Sequence, residues 1–262
     1  MGDVLRKGLV LIFLMMATLS ASAAPNVLLW RLDCGRFVSK KLTNGCYLIR
    51  HNSTYMLWDA GIGAELVGHP KGQGTRDWIE LDSTVADQLK QLGLTPKSIK
   101  ILALSHTHFD HIGQAPVFAD AHLLVGRDDW NVLIAEPSSD DRRGRLGPWM
   151  AGTSAKSLVT GDYDIFGDGS VVMLATPGHT PGHYSLLVRF RSLGAVLLTG
   201  DLYYSAQQYA QNSVPIHDAD AASTVSSFAR FRTLAKNLSA TVIIQHEPAD
   251  ITKLPPFPKA AD

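Results

Sequence analysis

Ser105-His106-Thr107-His108-Phe109-Asp110-His111-Ile112-Gly113 is the stretch whose reading decides the rest of the chain. Three histidines and an aspartate fall within six positions, directly after the apolar run Ile101-Leu102-Ala103-Leu104. A strand ending there sends His106 and His108 to one face, since side chains two apart share a face. Asp110 and His111 stand where the chain turns into a short helix, and they can converge on the same point from another side. Neutral imidazoles with a carboxylate form a donor set suited to a borderline cation such as zinc. At ordinary residue frequencies the pattern arises by chance roughly once in a million start positions. A merely solvated strand end is a poor account of it.

Upstream, Val27 to Arg31, Cys46 to Arg50 and Thr54 to Asp59 read as strands of an antiparallel opening sheet, punctuated by Gly35, Asn44-Gly45 and Asn52-Ser53. Residues 62–80 are irregular and glycine-rich; Trp78 at their end suits a substrate-facing position or the core equally. Ser83 caps a helix to Leu92 with Val85, Leu89 and Leu92 on one face, and Thr95-Pro96 opens a short turn. Downstream, His122 to Val125 reads as a strand and Arg127 to Ala135 as a helix. Residues 136–157 read as an exposed, charged insertion, either a solvated face or a rim of the site. Ser170 to Ala175, Tyr184 to Phe190, Ala195 to Leu198 and Val242 to Ile244 are further strands. Ala219 to Leu238 is a long helix with Val225, Phe228, Phe231, Leu234 and Leu238 as its core positions. Periodicity alone thus gives a mixed α/β chain.

At 262 residues with ordinary apolar content, one domain is expected. The 24 basic and 24 acidic residues balance, which gives nucleic acid no electrostatic footing as a partner. Arg6-Lys7, the apolar run Gly8 to Leu19 and Ala21-Ser22-Ala23 have the form of a secretory signal peptide over residues 1–23. Its apolar run, about a dozen residues, is short for a membrane span. The mature domain is then 24–262, with no membrane span after cleavage, exported to the periplasm or secreted. Cys34 and Cys46 suit either a disulfide between neighbouring strands or two buried thiols. No Gly-x-Ser-x-Gly elbow is present, nor a Gly-x-Gly-x-x-Gly after a strand, so neither a serine nucleophile nor a dinucleotide has support.

The His-x-His-x-Asp-His signature resembles that of the metallo-β-lactamase superfamily, and four further motifs, one upstream and three downstream, stand in the family's order. These are Asp59 in Leu57-Trp58-Asp59-Ala60-Gly61, His179 in Thr176-Pro177-Gly178-His179-Thr180-Pro181-Gly182-His183, Asp201 in Thr199-Gly200-Asp201, and His246. The resemblance implies an αββα sandwich with its metal ligands on loops at one edge of paired sheets. It implies two divalent metal ions, most simply Zn2+. His106, His108 and His179 would hold one, Asp110, His111 and His246 the other, with Asp201 bridging. Asp59 and His183 would act as hydrogen-bond partners of the ligands. His51, His69, His122 and His217 match no motif and read as surface or packing histidines.

By Ser105-His106-x-His108-Phe109-Asp110-His111, the Thr-Pro-Gly-His-x-Pro-Gly-His turn, Gly161-Asp162-Tyr163 and a tyrosine three positions past Asp201, the chain looks, among the superfamily's branches, most like the N-acyl-homoserine lactonases. That similarity implies a small-molecule substrate, a lactone or ester, opened by hydroxide bridging the metals, with Asp110 shuttling a proton. Tyr204, three positions past Asp201, would donate to the substrate; Tyr203 would take that role if the loop is shifted by one. The stretch between Asp59 and His106 is shorter than in those lactonases, which leaves the acyl preference open, as is the choice between monomer and homodimer. An exported metallo-β-lactamase is the first alternative, a glyoxalase-II-like thioesterase the second. A non-catalytic metal-binding protein of the cell envelope is the non-enzymatic one.

Overall fold

Alternation along the strands builds the layers. The computed structural model describes residues 26–262, so the expected signal peptide lies outside the described residues. Strands β1 (Val27–Phe37), β2 (Leu42–His51) and β3 (Thr54–Trp58) form the antiparallel opening meander. β4 (Ile79–Glu80) pairs with β1 at one edge. From β3 the sheet continues in parallel through β5 (Ile99–Ala103), β6 (His122–Gly126) and β7 (Lys156–Val159). The second sheet contains β8 (Tyr163–Asp164), β9 (Val171–Ala175), β10 (Tyr184–Arg189), β11 (Ala195–Leu198) and β12 (Thr241–Ile243). Its order is β12-β11-β10-β9-β8, antiparallel except for β11 with β12.

Three apolar layers separate the elements. Leu48, Leu57, Leu102 and Leu123 face outward onto α1 (Val85–Gln91) and other helices of that side. Their neighbours Ile49, Met56, Ala103 and Leu124 face Met173, Leu186, Val196 and Ile243 of the second sheet. Leu174, Leu187 and Leu197 then meet Phe228 and Phe231, which project from the long C-terminal helix over 221–237. Helix, sheet, sheet, helix is the αββα order. A register slip of one residue would exchange two of these layers, each buried side chain contributing about 1.5–3 kcal/mol.

The outer helices refine the sequence reading. Thr84, not Ser83, caps α1: its hydroxyl accepts from Asp87 N, and the Asp87 carboxylate accepts from Thr84 N, a reciprocal capping box. After the one-turn α2 (Phe109–Ile112), helix α3 (Arg127–Ala135) has the expected bounds. The supposed insertion at 136–157 is instead part of the layer. It forms α4 (Asp141–Arg145) and α5 (Gly147–Met150), buries Leu146 and Trp149 completely, and begins β7 at Lys156. Trp149 Nε1 donates to the carbonyl of Ala121 at 3.1 Å. Beyond α6 (Ala206–Gln211), α7 (Ala221–Asn237) starts two residues later than expected, behind the cap Asp220. Val225, expected in its core face, is 55% exposed.

Cys34 and Cys46 form a disulfide across the β1–β2 hairpin. Trp78 is half-buried and offers its carbonyl to Val38 N at 2.9 Å. Among the described residues, no helix is long and apolar enough to cross a membrane.

Candidate metal centre

β5 stops at Ala103, so His106 and His108 do not converge through the pleat of a strand. A pinned loop brings them together instead. Leu104 N donates to Leu124 O in the first sheet, and Tyr184 N donates to Ser105 O from the second. His106 Nε2 then lies 2.9 Å from His108 Nδ1, which lies 3.0 Å from His179 Nε2. Asp201 Oδ2 faces this group, 3.8 Å from His106 Nε2 and 3.5 Å from His179 Nε2. Its other oxygen faces a second group: Asp201 Oδ1 is 3.1 Å from His111 Nε2 and 3.0 Å from His246 Nε2. Asp110 Oδ2 completes that group, 3.5 Å from His111 Nε2 and 3.7 Å from His246 Nε2. Within each group, one ligand atom per residue lies within 4.8 Å of all the others. Asp201 can take this place because Gly200 precedes it at φ +56°, where a Cβ would stand 2.7 Å from His183 Nε2.

A shell of partners turns the rings inward. Asp59, itself in left-handed backbone at φ +60°, accepts from Ser105 N at 2.7 Å and from Gln245 Nε2 at 3.0 Å. The same carboxylate lies 2.9 Å from His111 Nδ1, which leaves Nε2 of that ring for the cluster. His246 Nδ1 donates to the carbonyl of Thr43 at 2.7 Å, to the same effect. His179 Nδ1 meets Asp218 Oδ1 at 3.2 Å. His183 belongs to neither group. Its Nδ1 donates to Thr176 O and its Nε2 accepts from the backbone N–H of Asp201, both near 3 Å, so it orients the carboxylate shared by the two groups.

The electrostatics suit cations. Burial, and after it the neighbouring His179, pushes His108 down to about 4 and His183 down to about 3. Burial likewise takes His106 well below its usual value, so its lone pair is free at neutral pH. In the second group burial also acts to lower His111 and His246, yet the carboxylates of Asp201 and Asp110 raise both. Three buried carboxylates around two imidazoles therefore call for positive charge. His111 Nε2 and Asp201 Oδ1, both buried, face one another without hydrogen-bond geometry. Orphaned atoms, donor types and paired arrangement all fit two divalent cations.

A cleft of about 340 Å³ opens over both groups, lined by Phe37, Leu42 and Phe109 on its apolar side. Tyr204 lies in it with its hydroxyl 3.0 Å from His179 Nδ1 and its ring stacked on His246. Burial, then the charge of Asp201, raises the phenol above its ordinary value, so it remains a donor. Tyr203 stacks on Phe228 in the core, which leaves the position beside the clusters to Tyr204. His217, read as a surface or packing histidine, lines the cleft, as does Lys40. Neither they nor Asp218 stand in a motif. Gln245 could have been suspected from its place directly before His246.

A sequence model described as the metallo-beta-lactamase superfamily matches residues 44–246. The chain belongs to the metallo-β-lactamase superfamily. Within it, N-acyl homoserine lactonase AttM of Rhizobium radiobacter is 31% identical over 229 residues, 80% of this chain and 85% of that protein. An N-acyl homoserine lactonase of a Bacillus species is 29% identical over 210 residues, 77% of this chain and 80% of that one. The crystal structure of a quorum-quenching N-acyl homoserine lactone hydrolase gives a TM-score of 0.75 at 23% identity, covering 89% of this chain and 98% of that one. AidC, a dizinc quorum-quenching lactonase, gives 0.61 at 16% identity, covering 84% and 74%. These likenesses establish the sandwich fold. With the superfamily's His and Asp motifs gathered in two buried clusters, the protein is a metal-dependent hydrolase.

Proposed function

We propose that this superfamily member opens the ring ester of a lactone, with N-acyl homoserine lactones as the first substrate class to consider and quorum quenching as its role. The observation that carries this reading is Tyr204: a protonated phenol held in the cleft directly beside the clusters, in a chain related to lactonases over most of its length. In this reading His106, His108 and His179 hold one divalent cation, Asp110, His111 and His246 hold the second, and Asp201 reaches both. Zinc suits the nitrogen-rich donor set. Bound there, the cations would supply Lewis acidity, making hydroxide available near neutral pH and offsetting negative charge on the substrate.

The chain's own groups do the rest. The Tyr204 hydroxyl donates to the developing oxyanion or to the acyl amide. Asp110, kept ionised by the cation it would help to hold, would take up a proton and deliver it to the departing ring oxygen. Phe37, Leu42 and Phe109 offer apolar surface to an acyl chain. The test is a hydrolysis panel on purified protein: acyl-homoserine lactones, simple lactones, a cephalosporin and a thioester. Lactone opening well above the other rates is expected. Efficient cephalosporin cleavage without lactone opening would replace this reading with that of a β-lactamase.

Export belongs to the same proposal. It rests on the signal-like residues 5–23, and the Cys34–Cys46 disulfide supports an oxidising compartment. Protein from its native host should begin at Ala24 by mass spectrometry and be recovered outside the cytoplasm. An intact Met1 would sink it.

A further inference from the structure

We propose that Asp129 is a positioning residue for the first cluster, bracing the turn that carries His179 and so setting the place of that imidazole beside His106 and His108. The proposal rests on the first cluster being a cation site and not on the lactone reading. Asp129 is the third residue of α3 and 1% exposed. Its Oδ1 accepts from Gly182 N at 2.6 Å and its Oδ2 from Thr180 Oγ1 at 2.8 Å. Thr180 directly follows His179, and Gly182 stands three positions past it. One carboxylate thus braces the turn that supplies the third imidazole of the first cluster.

The contact has no slack. A Cβ on Gly182 would stand 2.4 Å from Asp129 N, and one on Gly126 would stand 2.1 Å from Gly182 O. Backbone therefore rests on backbone where α3 meets the turn. Burial acts to raise the Asp129 carboxyl, and after it the hydrogen bonds from Thr180 and Gly182 act to lower it. Such a group is costly to bury, and its hydrogen bonds from Gly182 N and Thr180 Oγ1 offset that cost. What the carboxylate adds is several acceptor positions on one rigid fork, which no apolar residue can supply.

The second cluster is anchored elsewhere. From β2, Asn44 Nδ2 donates to the carbonyl of Asp110 at 2.6 Å, and Thr43 O receives His246 Nδ1. Loss of Asp129 should therefore divide the two cations. Asp129→Asn turns one acceptor into a donor within this crowded contact.

The experiment titrates cobalt(II) into metal-free full-length mature protein and follows the ligand-field spectrum and calorimetric binding. Wild type should take up two cobalt ions. Asp129→Asn should bind the first-cluster ion about 10–100-fold more weakly and the second as in wild type. Adding His246→Ala to that variant should then weaken the remaining ion. Thr180→Val keeps the shape of the turn and removes one hydrogen bond, so it should weaken the first-cluster ion by about 3–10-fold. It also decides the matter if Asp129→Asn fails to fold. Wild-type affinity for both ions in Thr180→Val, or equal weakening of both ions in Asp129→Asn, would overturn the proposal.

Discussion

Tyr204 sits where a single atom separates two roles. Its hydroxyl touches His179, but its ring is held independently, stacked on His246. Tyr204→Phe should leave the ring in place and remove only the donor. On the lactone reading, kcat/KM falls about tenfold to a hundredfold, the equivalent of one hydrogen bond to a charged oxygen, with metal content unchanged. A variant with wild-type kcat/KM would put the phenol outside the reaction. Asp201 is the opposite case, since each of its oxygens serves a different cluster. An amide cannot face both with an acceptor, so Asp201→Asn should lower the occupancy of both sites in metal analysis. Loss of one ion alone would show that the carboxylate serves a single cluster. His106, His108, Asp110 and His111 were legible in the sequence because His and Asp at that spacing have little else to explain them, while His179, Asp201 and His246 were reached through the family resemblance. His217 was not, since a lone histidine in a loop carries no pattern.

At the scale of elements, legibility followed local pattern. β3 and α3 were read closely because alternation and helical spacing lie within each segment, whereas β1 and β2 run on through Gly35 and Asn44-Gly45, read as breaks, to about twice the expected length. Residues 136–157 were misread because their apolar residues are sparse among charges. Leu146 and Trp149 are three apart, the spacing of one helical face, but the turn is too short to show a period. The structure assigns these two residues to the outer core together with Leu133 and Val125. Trp149→Ala removes a fully buried ring and orphans the carbonyl of Ala121. It should cost about 3–5 kcal/mol in denaturant unfolding. A cost under about 1 kcal/mol, the range of surface positions, would restore the reading as a solvated insertion.

At the scale of the molecule, the clusters join the two sheets. His106, His108, Asp110 and His111 follow β5 of the first sheet. His179, Asp201 and His246 follow β9, β11 and β12 of the second. Each cluster therefore draws on both sheets, an arrangement that local periodicity could not reveal because strand pairing across layers leaves no mark on neighbouring residues. The family resemblance was the route to the layer order. A cation that binds the assembled edge, and not the unfolded chain, stabilises the fold by mass action. With free cation at a hundred times its Kd, each site contributes about 2.7 kcal/mol. For a domain of this size that amounts to roughly 5–10 °C in Tm per ion. Excess chelator should thus lower the calorimetric Tm by at least this much while leaving far-UV dichroism intact below the transition, and added zinc should restore it. The Asp201→Asn protein should lose most of that zinc-dependent rise, because both ions depend on the carboxylate. An unchanged Tm in chelator, with metal analysis showing the ions removed, would mean that the apolar layer between the sheets sets the stability and that the cations serve chemistry alone.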